Sequence, residues 1–304
     1  MYTPRELAEY AAFRGAVSAL GAIPLATAQR VAARLARALF DRGGKRVHYV
    51  LTNLRIAFPD LPEEERRRIG RESYVSLAFT LIDIARGRNW SADEVRARFD
   101  IEGLEIADAV LGAGKGVVAV TLHIGSFEMM ARAVPVYGIP VTVIGRPIGN
   151  RLLRDEIQRQ RTSTGAEVLI HRNVFPKMLR AVKQGRAVAV LNDQYARRSR
   201  GAFIPFLGAR ASTSRGPAVL ALRTGAPVVV VSSTRVGPDH HHMVIRPPLE
   251  VPDTGDRRKD AELLTARCNE ALGEIIRAHP EQWMWSHRRF RHSPDLPGDP
   301  YGGL

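Results

Sequence analysis

A base and a carboxylate stand five residues apart at His123 and Glu128, in the segment HIGSFE. An imidazole beside a carboxylate is held in one tautomer and its cation is stabilised, which makes it a competent general base for a hydroxyl group. On one continuous helix a spacing of five turns the two side chains about 140° apart. They meet only if His123 lies in a turn and Glu128 in the first turn of the helix that follows. The neighbouring residues supply that context. The run from Val117 to Leu122 reads as a buried strand, Gly125 and Ser126 permit a tight turn, and a helix opens near Phe127. His123 then falls at the carboxyl edge of a sheet, where open α/β folds place their sites. The helix start offers amide donors for a developing oxyanion.

The elements that must position this pair change character along the chain. From residue 4 to about 95 the apolar period is helical, with segments over 4–20, 27–40, 47–58 and from the acidic turn after Pro62 to Arg86. From Gly116 short β-branched runs alternate with helices, at 116–122, 140–145, 187–191 and 227–232. Near-continuous apolar strands separated by helices mean a mostly parallel sheet covered on both faces. The run 243–246 reads as an edge strand and 261–278 as a closing helix. The expected fold is α/β, a mostly parallel central sheet flanked by helices. A helical N-terminal extension over 1–95 packs as one unit on a core over 96–293, and 294–304, rich in proline and glycine, is a loose tail.

Other chemistries are poorly served. The glycine-rich Gly112–Gly116 precedes a strand and does not link a strand to a helix, so it fails the nucleotide-loop templates and reads as a turn. No Gly-x-Ser-x-Gly elbow occurs. His240, His241 and His242 are adjacent and cannot share one face, which leaves a surface loop as their reading and no metal site. The single cysteine, Cys268, lies in an apolar helical setting and reads as a packing residue.

The net charge of +14, from 45 basic and 31 acidic residues, favours anionic partners. Aromatics are 7% of the chain and sit mostly in apolar runs, not interleaved with the basic residues, which argues against nucleic acid. The N-terminus lacks a secretory signal pattern. The uncharged stretch 15–29 is broken by Pro24 and is shorter than the about 20 residues that cross a bilayer. The helix after it carries Arg30, Arg34 and Arg37 on one face opposite leucine and phenylalanine. That pattern suits an interfacial helix and equally a helix packed on a core.

Several ordered blocks carry a resemblance: NLRIAFP at 53–59, LHIGSFE at 122–128, GRP at 145–147, Arg161, LNDQ at 191–194, FIPFLG at 203–208, AST at 211–213 and PEQWMWSHRRF at 280–290. In these the chain resembles the bacterial lipid A biosynthesis acyltransferases, late acyltransferases within the glycerolipid acyltransferase superfamily and its His-x4-Asp/Glu motif. The resemblance implies transfer of a fatty acyl group from acyl carrier protein, or from coenzyme A, to a hydroxyl of a membrane glycolipid, with the thioester as co-substrate and no bound cofactor. His123 is then the base and Glu128 its orienting carboxylate. Arg161 and Asp193 match positions tied to activity, and Arg146, Arg288 and Arg289 are candidates for holding acceptor phosphate. It also implies the cytoplasmic face of a bacterial inner membrane, with surface attachment in place of a spanning helix. Residue 194 is glutamine where some lipid A enzymes have histidine, so another glycolipid, such as a phosphatidylinositol mannoside, stays open as acceptor. A non-catalytic protein that binds anionic lipid is the reading from a different class.

Overall fold

The computed structural model describes residues 2–145, 149–170, 173–197, 199 and 201–302. The first third is helical: α1 (Pro4–Ala22), α2 (Leu25–Asp41), α3 (Lys45–Ala57) and α4 (Glu63–Gly87). Thr3 and Glu6 form a capping box at the start of α1, and Glu63, Glu64 and Glu65 place three carboxylates in the first turn of α4, where the helix dipole favours them. The packing of α2 differs from a simple amphipathic helix. Its buried side is made by Ala28, Ala33, Ala36 and Phe40, while Leu35 and Leu39 are 60% and 59% exposed and Val31 joins them one turn earlier. Arg37 is drawn to Glu72 of α4, which leaves Arg30 and Arg34 beside the apolar stripe. Small alanines let α2 approach α4 closely, so the large apolar side chains remain outside.

The α/β part follows as α5 (Ala92–Arg96), β1 (Phe99–Glu102), α6 (Leu104–Gly112), β2 (Val117–Thr121), α7 (Phe127–Val136), β3 (Val141–Gly145), α8 (Arg151–Thr162), β4 (Glu167–Ile170), α9 (Phe175–Lys183) and β5 (Ala187–Leu191). A hairpin of β6 (Gly201–Phe206) and β7 (Ala209–Ser214) precedes α10 (Gly216–Thr224), β8 (Val228–Arg235), β9 (His241–Ile245) and α11 (Arg257–Ala278). The main sheet has the order β1-β9-β8-β2-β5-β3-β4, parallel throughout except where β9 runs antiparallel to β8. Alternation along the strands sends Val118, Val120, Val188, Val228 and Val230 to one face, which packs on α9, α10 and α11. Val117, Ala119, Val141, Ala187 and Val229 face α6 and α7 on the other side.

Two expectations are corrected here. The run 243–246 belongs to β9, which is interior, because β1 adds a parallel strand outside it. The three histidines do not share a surface loop: His240 lies in the turn before β9 and pairs with Asp100, whereas His241 opens β9, is completely buried and stacks on Phe99 at 4.7 Å, and His242 turns outward to Glu102. Burial and nearby Arg235 push the His241 imidazole down to about 3, so it is neutral.

The helical first third shares its core with the sheet: Phe40, Val47, Val50, Leu54 and Ile69 belong to the same apolar cluster as Val118, Val120 and Leu264. The segment after 294 is not loose as far as Tyr301. That side chain is 5% exposed, and its hydroxyl donates to Asn53 Oδ1 at 2.5 Å and accepts from the Phe290 amide at 2.9 Å. Asn53 Nδ2 in turn donates to the carbonyls of Trp285 and His287, so the C-terminal end is tied to α3. Tyr301→Phe, which leaves both partners unpaired, is expected to cost about 1–3 kcal/mol in urea unfolding; an unchanged midpoint would show that the tail contributes nothing.

Candidate active site

Strands β2 and β5 are neighbours in a register that pairs Thr121 with Leu191. Two residues beyond each, His123 and Asp193 therefore face one another across the carboxyl edge of the sheet. The main-chain N–H of His123 donates to Asp193 Oδ2 at 2.9 Å, and Nδ1 lies 2.7 Å from Oδ1. Trp283 Nε1–H adds a third donor, to Oδ2 at 2.7 Å. Asp193 is 1% exposed. Burial pushes its carboxyl up, but the adjacent His123 ring and the hydrogen bonds outweigh it and hold the group down to about 2. An ionised carboxylate only accepts, so the Nδ1 that faces it carries a proton. The His123 side chain is 16% exposed, enough for a substrate hydroxyl to reach it.

The loop carrying His123 is held on three sides. Gly125 adopts φ of +51°, and a Cβ there would stand 2.3 Å from the carbonyl oxygen of Ser233, so the turn requires glycine. Thr80 of α4 donates to the Gly125 carbonyl at 2.8 Å. The segment after α11 holds the other side: the Gly125 amide donates to the Gln282 carbonyl, Ile124 bridges to Trp283, and the Met284 amide donates to the His123 carbonyl at 3.0 Å. The Gln282 side chain pairs with both the amide and the carbonyl of Arg235 at the end of β8. Gln194 Nε2 lies 3.4 and 3.3 Å from the two His123 ring nitrogens. Near-equal distances to both nitrogens place it over the ring face and not along either lone pair. Phe127 packs its ring at 64° to the imidazole, with centroids 4.9 Å apart.

Glu128 does not orient His123. Its two oxygens accept a bidentate pair from Arg161, at 2.6 and 2.9 Å, with both side chains about one-fifth exposed. The expected contact of His123 with Glu128 is not formed; the carboxylate brought to the imidazole is that of Asp193. At the start of α7 the Glu128 side chain reaches α8 and Arg161 more readily than the imidazole behind it. Gly145 leaves room for that guanidinium, which would lie 2.9 Å from a Cβ. Glu128 and Arg161 stand with Thr121 and Phe127 on the wall of an apolar cavity that runs under the sheet. Its strand side is Ala119, Val143, Ala189 and Val229, and its helix side is Val110, Met130 and Val134.

The remaining candidates divide. Arg146 lies outside the described residues. Arg288 lies over the Tyr49 ring at 5.6 Å, on the α3 side. Arg289 is fully buried, donates to the carbonyls of Ser212 and Gln194 and to Thr213 Oγ1, and stacks 4.3 Å from the Phe206 ring. Burial pushes it down to about 10. It fastens the Asp193–Gln194 loop to β7 and is removed from the expected set of phosphate ligands. Trp283, Thr80 and Gln282 were not anticipated as site residues. Trp283 does fall in the block over 280–290, but nothing in that block says which side chain reaches Asp193.

An imidazole held by a buried carboxylate, with an ion pair and an apolar cavity nearby on an α/β scaffold, is an arrangement that can serve acyl transfer. The chain matches the family model described as bacterial lipid A biosynthesis acyltransferase over residues 4–292, and it belongs to that family. It is 30% identical over 246 residues to the lipid A biosynthesis palmitoleoyltransferase of Escherichia coli (strain K12), covering 80% of this chain and 78% of that one. It is 29% identical over 266 residues to the lauroyltransferase of the same organism, covering 86% and 83%, and 25% identical over 256 residues to a lipid A biosynthesis acyltransferase of Haemophilus influenzae, covering 83% and 80%. The protein is an acyltransferase.

The low Asp193 pKa makes a signed prediction. A carboxyl depressed in the folded state contributes stability that is complete above its ordinary value of about 3.9 and lost as pH falls through its folded value of about 2. Wild type should therefore lose urea resistance more steeply than Asp193→Asn over that window. Trp283→Phe removes one donor to the charged form, raises the folded pKa and moves the loss to higher pH. Identical acid profiles for all three proteins would refute the arrangement.

Proposed function

We propose that this enzyme moves a fatty acyl group from an acyl carrier protein or coenzyme A thioester to a hydroxyl of a lipid A precursor, with His123 as general base. The observation that carries the reading is the 2.7 Å contact of His123 Nδ1 with ionised Asp193, which turns Nε2 away from the carboxylate, while the Phe127 ring packed on the imidazole also lines the apolar cavity. In the proposed reaction Nε2 takes the acceptor proton as the hydroxyl oxygen bonds to the thioester carbonyl carbon. The tetrahedral intermediate then collapses, the carbon–sulfur bond breaks, and the imidazolium returns its proton to the leaving thiolate. The amides of Phe127 and Glu128 open α7 and make no main-chain hydrogen bond among the described residues, so they are the donors available to the developing oxyanion. The cavity suits a hydrocarbon chain, because its lining is almost wholly Ala, Val, Leu, Ile and Met.

A membrane-borne acceptor requires contact with a bilayer. No helix among the described residues is long and apolar enough to cross one. The outward Val31, Leu35 and Leu39 of α2, flanked by exposed Arg30 and Arg34, support attachment to an anionic surface, at the cytoplasmic face of the inner membrane.

The test is acyl transfer by purified protein from a panel of acyl carrier protein and coenzyme A thioesters to phosphorylated glycolipid acceptors. His123→Ala and Asp193→Asn should each lower turnover by about 10²–10⁴-fold, whereas Glu128→Gln should cost less than either. Wild-type turnover in His123→Ala refutes the base. A second measurement checks the cavity: Ala189→Leu should shift preference to shorter acyl thioesters with little change in turnover of the shortest. An unshifted chain-length profile would place the acyl chain elsewhere.

A further inference from the structure

A second cavity lies away from the sheet, between α1 and the end of α4. Its volume is about 470 Å³, within the range of about 300–1,000 Å³ typical of small-molecule sites. Unlike the acyl cavity it is polar and cationic, walled by Arg14 and Ser18 of α1, by Arg86 at the end of α4 and by Arg88, Asn89 and Trp90 after it. Arg86 commits Nη1 to the carbonyls of Leu20 and Ile23, at 2.8 and 2.9 Å, and so fixes the α1–α2 turn as one wall. Arg14 and Arg88 are the guanidiniums left to turn toward a ligand.

Among the described residues the acidic side chain in ion-pair range of these arginines is Glu156, 3.9 Å from Arg88 and also held by Arg159 at 2.6 Å. Three guanidiniums, of Arg14, Arg86 and Arg88, thus line the recess with this one carboxylate beside them, an excess of positive charge where water screens it less than on an open surface. The recess is also connected to the active site. Arg132 of α7 donates to the carbonyls of Gly87 and of Trp90, the latter in the cavity wall, and lines a small space shared with Glu128 and Arg161. Glu128 and Arg132 are successive turns of α7, about 6 Å apart along the axis.

We propose that this recess binds a phosphomonoester on the sugar headgroup of the acceptor through Arg14 and Arg88. The assignment to the acceptor rests on the acyl-transfer reading above; the binding does not.

Trp90 supplies the measurement, because Trp283 and Trp285 are buried elsewhere and contribute a constant background. The full chain is titrated with glucosamine 1-phosphate, inorganic phosphate and unphosphorylated glucosamine while tryptophan emission is followed. The expected result is saturation by glucosamine 1-phosphate at lower concentration than by inorganic phosphate, no response to glucosamine, and no response in Trp90→Phe. Arg14→Gln and Arg88→Gln should each weaken binding at least tenfold, with thermal midpoints matching wild type. His123→Ala should bind as wild type does, so a failure of the acyl-transfer reading leaves this result untouched. Undiminished binding by the folded double arginine variant overturns the site. Equal or tighter binding of inorganic phosphate assigns it to the free anion and overturns the headgroup.

Discussion

The hydrogen bond from His123 to Asp193 depends on two strands whose contact residues are 70 positions apart lying side by side in one register. A slip of one residue between β2 and β5 would turn one of the two side chains to the other face of the sheet. That register is fixed by the buried valines and alanines of both strands, which interdigitate with helices on each face. The chemistry of the site is thus set by core packing. The loops beyond the strands need only continue two residues further in the same geometry, with Asn192 donating to the Thr121 carbonyl to extend the ladder.

A second constraint comes from the far end of the chain. Residues 282–284 hold the His123 loop through main-chain contacts, while the indole of Trp283 reaches past it to the carboxylate behind the ring. One short segment fixes both members of the pair relative to each other. Arg289 extends the same support to the Gln194 carbonyl, and Asn53 with Tyr301 holds the segment against α3. An arginine completely out of water is costly unless its donors are satisfied; here carbonyls and a hydroxyl satisfy several of them and the Phe206 ring covers its face.

Much of this was legible in the residues. Periodicity located four N-terminal helices and five of the strands in the main sheet, and both the strand end before His123 and the tight turn at Gly125 into α7 were read correctly. The partner of His123 was not legible. Local spacing favoured Glu128, whereas which strand neighbours β2 is decided by tertiary pairing, and Asp193 stood out through the family resemblance as a position tied to activity, not as the partner of the imidazole. The strands β1 and β4 are four residues each, too short for alternation to stand out. His241 was misread because a polar triplet suggests a loop, yet Phe99 and burial in the sheet accommodate its neutral ring. The C-terminal tail looked loose by composition, since proline and glycine say nothing of a single tyrosine hydroxyl with two buried partners.

The apolar cavity beneath the sheet lies on a different layer from the reacting atoms. Ala119, Val143, Ala189 and Val229 line it from strand interiors, and none of them touches His123, Asp193 or Trp283 among the described contacts. Their backbones are fixed by the ladder whatever their side chains, so exchanging alanine for valine or valine for leucine reshapes the cavity and leaves the His123–Asp193 pair in place. On the proposed reading of the cavity as the acyl site, single substitutions on one layer can shift chain-length preference while the pair on the other layer is untouched.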